Sequence, residues 1–228
     1  AKSVICGGKV VDEKLFSTVK RVDPIGLNSV KSKTLKKSDF ISKDKTQKTS
    51  IIGIIEGKII TEHIHDEIPI VNGDKSPDTS KDLVRVSVIE RHGKNNNIAN
   101  GFVRGFGLKK GAVASTVAHD HHNIVSIGID YEDMAIACNR LKEIKGGFVI
   151  ASQGKITAEL SLPIAGLMSL ESFEIVRDKL TDLRGSAKDL GIILEEPFLQ
   201  LAFLALPVIP SLKITDHGLV DVEKFKII

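Results

Sequence analysis

Within five residues, His119, Asp120, His121, His122 and Asn123, the chain gathers three imidazoles, a carboxylate and an amide, with no lysine or arginine among them. His119 and His122, with Asp120 between them, offer two nitrogens and a carboxylate oxygen, a donor mixture that suits zinc, iron or manganese. The same residues suit acid–base work, in which a carboxylate fixes the tautomer of a neighbouring ring and the imidazole exchanges protons near neutral pH. A third reading is structural: the polar side chains satisfy the amides of a loop and His121 stands in solvent. The short His-Asp-x-His spacing leaves all three open.

Other groups of the same kind lie elsewhere. Glu90-Arg91-His92 follows an apolar run, so an acid, a cation and an imidazole stand together at a strand end. Such groups either orient one another through charge-assisted hydrogen bonds or cap a sheet edge. His63-x-His65 puts two rings on one side of a strand, as a metal clamp does, but no third ligand follows, and the pair reads as a solvent-facing strand feature. Cys138 sits on an apolar helical stripe without a neighbouring base, and reads as core rather than nucleophile. His217, beside Gly218, reads as a turn histidine.

The elements that must position these groups are legible from periodicity. Val113 to Val117 and Ile124 to Ile129 read as strands that flank the histidine run and hold it as a loop at their ends. Leu83 to Ile89 reads as a strand leading into Glu90, with Arg85 and Ser87 on its other face. Residues 98–106 are predicted as a short helix ending at Gly107. Asp130 is predicted to cap a helix over 131–145, with Met134, Ala137, Cys138, Leu141 and Ile144 on one face. Phe148 to Ala151 and Ile156 to Leu162 form a predicted hairpin around Gln153-Gly154. A helix over 170–184, capped by Ser169 or Ser172 and ended by Gly185, precedes an apolar helix over 197–206 that starts at Pro197. That last helix is expected to be buried all round or docked to another subunit. Ile51 to Ile60 reads as two strands around Glu56-Gly57, with a third near His63 to Ile70. Val4 to Val11 reads as a glycine-turned hairpin.

The chain of 228 residues is 42% apolar, enough to fill a sizeable core. Its 32 basic and 29 acidic side chains leave +3, and with one tyrosine and no tryptophan it lacks the basic, aromatic surface of a nucleic-acid binder. Lys31, Lys33, Lys36, Lys37, Lys43, Lys45 and Lys48 are interspersed with Asp39 and Asp44, and read as a solvated connector rather than a polyanion patch. No apolar run reaches the roughly 20 residues of a membrane span. Two cysteines make one pair at most, which points to a reducing, cytoplasmic setting. The first residues lack a signal-peptide pattern and an initiator methionine, as in a processed or excised piece. The expected fold is α+β: predominantly antiparallel sheet covered by helices, with residues 1–16 a short hairpin, 17–49 the connector and 50–228 the main domain.

Four motifs taken together carry a resemblance. Glu90-Arg91-His92-Gly93, the glycine-spaced run from Gly101 to Ala112, Val117-Ala118-His119-Asp120-x-His122-Asn123, and Leu162-Pro163-Ile164-Ala165-Gly166-Leu167-Met168-Ser169 resemble, in the same order, the C-terminal region of bacterial adenine deaminases of the amidohydrolase superfamily. The likeness runs from about Ile51 to Ile228. It implies that residues 1–16 are a remnant of the small β-sandwich flanking a catalytic (β/α)8 barrel, and that the barrel itself lies outside this chain. It implies metal-dependent deamination of adenine to hypoxanthine and ammonia, with manganese, iron or zinc held mainly by the barrel and, within this chain, by His119, Asp120 and His122. The same three residues are the implied active-site face, supported by Glu90, Arg91 and His92, and His121 replaces the family's serine. Expected partners are adenine, the barrel-bearing portion and further copies of the enzyme. Two alternatives stand beside this reading: a non-catalytic scaffold that oligomerises through the apolar helix near Leu201, and an autonomous metal-binding domain.

Overall fold

The computed structural model describes residues 2–17, 23–42, 46 and 48–228. In chain order the strands are β1 (Ile5–Cys6), β2 (Lys9–Val10), β3 (Lys48–Ile54), β4 (Thr61–Glu67), β5 (Ile70–Val71), β6 (Asp74–Lys75), β7 (Leu83–Ile89), β8 (Ile98–Arg104), β9 (Ala112–Ser115), β10 (Ile124–Gly128), β11 (Gly147–Ser152), β12 (Lys155–Ser161), β13 (Leu212–Thr215), β14 (Gly218–Asp221) and β15 (Lys226–Ile227). The helices are α1 (Glu13–Ser17), α2 (Tyr131–Glu143), α3 (Phe173–Asp189) and α4 (Pro197–Phe203). Eight strands form one sheet in the order β12-β11-β9-β10-β7-β8-β3-β4. Its pairings are antiparallel except where β3 runs parallel to β8.

Period-two alternation gives each central strand two apolar faces. Val84, Val86 and Val88 of β7, Val113 of β9, Val125 and Ile127 of β10 and Ile150 of β11 meet Leu183 of α3 and Phe198 and Leu201 of α4. On the opposite face Ala112, Ala114, Val149 and Ala151 meet Met134, Ala137, Cys138 and Leu141 of α2. The helix begins where expected, with the Asp130 carboxylate accepting from the N–H groups of Glu132 and Asp133. This is an α+β fold with a mostly antiparallel sheet, a small N-terminal hairpin and, among the described residues, no barrel. No helix among them is long and apolar enough to cross a membrane.

Several local expectations are corrected. Residues 98–104 form β8 rather than a helix, because Val84, Val86 and Val88 are matched by Val103, Gly101 and Ala99 along a seven-residue antiparallel register. Pairing with a distant strand overrides a local pattern that fits either structure. Gly185 does not end α3, which continues to Asp189 because Ala187 is buried one turn after Leu183. The isoleucine-rich segment forms one hairpin of β3 and β4, not three strands, and His63 and His65 both lie on β4. Leu201 is fully buried in the chain's own core, so it is not a subunit surface. The stretch expected to be a solvated connector packs instead in its described part: Val30, Leu35 and Phe40 are buried against α2. Its Lys43, Asp44 and Lys45 lie outside the described residues.

Candidate functional site

β7 ends at Ile89, which pairs with Ile124 at the start of β10, and Val125 of β10 pairs with Ser115 at the end of β9. Antiparallel register therefore releases residues 90–92 and 116–123 from the sheet at the same rim. This brings Glu90-Arg91-His92 beside the histidine run, across about 30 residues of sequence.

Glu90 holds the turn between β7 and β8. Its carboxylate accepts from the backbone N–H of His92 at 2.6 Å, and from those of Lys94, Asn95 and Asn96 at 3.1, 3.4 and 3.3 Å. Burial on its own pushes this carboxyl upward, but the ring of N–H donors outweighs it and holds Glu90 below the usual carboxylate range. Glu90→Gln removes the charge and half of the acceptor capacity, and is expected to cost about 1–3 kcal/mol at neutral pH. The native pKa lies below the unfolded one, so this advantage is full above the unfolded value and fades as pH falls through the native one. Melting curves of the two proteins are expected to be well apart at pH 7 and to converge under acid conditions.

Arg91 is 1% exposed and, among the described residues, has no carboxylate partner. Its guanidinium donates to the His122 carbonyl through Nε, to the Ser29 carbonyl and Oγ at 3.1 and 3.0 Å, and to the Ala165 carbonyl at 3.0 Å. Desolvation lowers its pKa to about 10, still well above neutrality. Arg91 is thus a charged pin joining the β7–β8 turn, the histidine loop, the segment around Ser29 and the loop around Ala165.

Asn123 closes the loop from the other side. Its Oδ1 accepts from the Arg91 N–H at 3.3 Å and its Nδ2 donates to Asp216 at 3.1 Å. Thr116 anchors the loop's start, donating through Oγ1 to the Gly166 carbonyl at 2.6 Å and accepting from the Gly147 N–H at 2.7 Å. Asp120 and His122 adopt left-handed backbone, with φ of 68° and 46°. Asp, Asn and His enter that region more readily than other residues with a Cβ, which explains their presence in so tight a turn.

The rings differ from their supports in one respect. Nδ1 of His119, Nε2 of His121 and Nδ1 of His122 are buried atoms without a hydrogen-bond partner among the described residues. His121 accepts from the Asn123 N–H through Nδ1, which puts the proton of the neutral ring on Nε2. Burial pushes the His121 and His122 rings below the ordinary imidazole value, and for His122 the charge of Arg91 adds to this. His92 is exposed and bonds the His121 carbonyl through Nε2 at 2.8 Å, leaving Nδ1 of its neutral ring as an acceptor. His119 lies against Phe203 of α4, with ring centroids 5.4 Å apart, and Asp120 is exposed.

All six residues expected at the site thus gather at one rim, but they divide by role. Glu90 and Arg91 are consumed by backbone, whereas the rings of His119, His121 and His122 retain unused nitrogens. Among the described residues no group of three or more His, Cys, Asp or Glu side chains is arranged to hold a metal ion, and His119, Asp120 and His122 form no such group. Asp216, Thr116 and Ser29 escaped the sequence reading. Of these, only Asp216 carried a local signal, as the acid of the Thr-Asp-His-Gly turn. His63 is bonded to Ser50 Oγ at 2.8 Å on β4, apart from this rim.

Residues 58–226 match the family described as adenine deaminase C-terminal domain. An adenine deaminase of Sinorhizobium fredii is 58% identical over 228 residues, all of this chain and 40% of that protein. One from Cereibacter sphaeroides is 57% identical over 225 residues, 99% of this chain and 40% of that protein. One from Brucella abortus is 56% identical over 228 residues, covering 39% of its length. The chain therefore spans about two fifths of the length of the curated relatives it matches. With a match that covers most of its length and a fold in which the shared motifs converge, this chain belongs to the adenine deaminase C-terminal domain family.

Proposed function

We propose that this chain is the C-terminal portion of an adenine deaminase, and that it acts in hydrolysis of adenine to hypoxanthine and ammonia when joined to the barrel-bearing remainder. The observation that carries the reading is the unspent ring nitrogens of His119 and His122, held by supports that are themselves saturated. Replacing the exocyclic amine of adenine by oxygen moves protons from an attacking water to a departing amine. A neutral imidazole with an uncommitted nitrogen accepts and returns such protons once a substrate is brought beside it. In this reading His119, His122 and His92 face the purine, and Asp120 sets the electrostatic balance of the rings.

A divalent metal such as manganese, iron or zinc, which the sequence resemblance implies, does not fit the residues present here. The Glu90 carboxylate is committed to backbone, and no group of three ligands exists among the described residues. Its cradle is assigned to the remainder of the protein.

The test is Asp120→Asn in the full-length protein. Asparagine tolerates the left-handed backbone, so the melting temperature is expected to stay within about 2 °C. Turnover of adenine, followed by its loss of absorbance, is expected to fall by about 10- to 100-fold. Unchanged turnover with an unchanged melt removes Asp120 from the site.

A further inference from the structure

α4 leaves a small cavity between itself and the β3–β4 turn. Its volume is about 150 Å³, and its lining includes Leu194, Leu199 and Phe203 together with Gln200. A cavity of that size accommodates one six-membered aromatic ring. Phe203 meets both this cavity and the histidine rim, since its ring also lies 5.4 Å from that of His119, centroid to centroid. Gln200 is the informative wall. It is only 6% exposed, yet its carboxamide makes no hydrogen bond among the described residues. By contrast, the amides of Asn100, Asn123 and Asn139 are each bonded at both ends. A donor and an acceptor left side by side in a buried place cost stability unless something else meets them. On the solvent side of the cavity stand the exposed carboxylates of Glu56, Glu195 and Glu196. Glu196 is paired with Arg184 at 2.8 Å, whereas Glu56 and Glu195 have no cationic partner among the described residues.

We infer that this cavity binds a small planar nitrogen heterocycle that bears an amine beside a ring nitrogen and carries no phosphate or carboxylate group. Each part of that description has its own cause. The apolar walls given by Leu194, Leu199 and Phe203 accept the ring itself. The Gln200 carboxamide oxygen accepts an N–H of the amine while its nitrogen donates to the ring nitrogen, a two-point match that fixes the ring's orientation. The carboxylates at the solvent side favour a ring rich in N–H donors and repel an anion, so a phosphorylated form of the same ring is rejected. The inference stands without the catalytic reading above, because it depends on the cavity and on Gln200 alone.

The experiment is a calorimetric titration of the full-length protein with 2-aminopyridine, and with benzoate as an anion of similar shape. 2-Aminopyridine is expected to bind with a Kd on the order of 1 mM, in keeping with so small a ring, and benzoate at least about tenfold more weakly. Gln200→Leu keeps most of the volume but removes donor and acceptor, and is expected to weaken 2-aminopyridine by about tenfold. Gln200→Asn withdraws the carboxamide by one methylene and is expected to weaken it by a similar factor; it carries the comparison if melting curves show that the leucine variant does not fold. Absence of binding overturns the inference and leaves Gln200 a merely solvated side chain. Equal binding of benzoate overturns the role of the carboxylates and with it the ligand class. Unchanged affinity in the folded variant overturns the site, because the ring is then held elsewhere on the protein.

Discussion

Gly147→Ala is expected to be the most damaging single substitution at the rim, costing more than about 4 kcal/mol and leaving little folded protein at 37 °C. Gly147 has φ of 134°, and an added Cβ would stand 1.8 Å from the Leu160 carbonyl oxygen and 2.9 Å from its carbon. Both obstacles are backbone, so no side chain can swing aside. Relief requires β11 to part from β12 at the Gly147–Ser161 pair. The damage reaches the site, because Gly147 also donates to Thr116 Oγ1 and accepts from the Thr116 N–H, the bonds that start the histidine loop. Gly154→Ala is the control: its φ is 76°, but nothing lies within 4 Å of the new methyl, and the expected cost is about 1 kcal/mol. Thermal melts of the two variants decide the matter, and equal melts would show that β11 and β12 can separate at this point without penalty.

Arg91→Met is expected to cost about 3 kcal/mol and, unlike a core cavity, to affect the histidine loop first. Methionine fills much of the volume, so the loss is electrostatic and directional. The His122, Ser29 and Ala165 carbonyls lose a charged donor in a place where water does not readily replace it. The removal also relieves the desolvation of a buried cation that has no acid partner among the described residues, which keeps the net cost below the sum of the bonds. Hydrogen exchange is the discriminating measurement: amides of 118–123 and 164–168 are expected to open together, ahead of β7 and β10. Exchange that rises uniformly through the sheet would make Arg91 an ordinary core residue. Arg91→Lys is expected to recover only part of the loss, since an ammonium offers a single centre where the guanidinium spans several segments.

These two residues illustrate how unequally the site was legible. The histidine run stands out because three rings within four positions are rarely needed for solvation, and its flanking strands announce themselves through small β-formers. Glu90-Arg91-His92 was legible as a group but not as a role. An acid, a cation and an imidazole in a row suggest chemistry, whereas the fold spends the first two on backbone carbonyls and amides. Nothing local to Arg91 reveals that its acceptors come from residues 29, 122 and 165.

The sequence by itself determined the class of fold, the helix begun by Asp130, the hairpin around Gln153-Gly154 and the loop that carries the histidines. These depend on periodicities, caps and turns that act over a few residues. Tertiary structure alone decided that residues 98–104 pair as a strand, that Val30, Leu35 and Phe40 enter the core, and that Asp216 reaches Asn123. It also decided which polar groups are satisfied and which ring nitrogens are left over. The physical reason is range: hydrogen bonds and packing join residues that are neighbours only after strands from distant parts of the chain have taken their register, and no local pattern encodes which acceptor a buried donor will find.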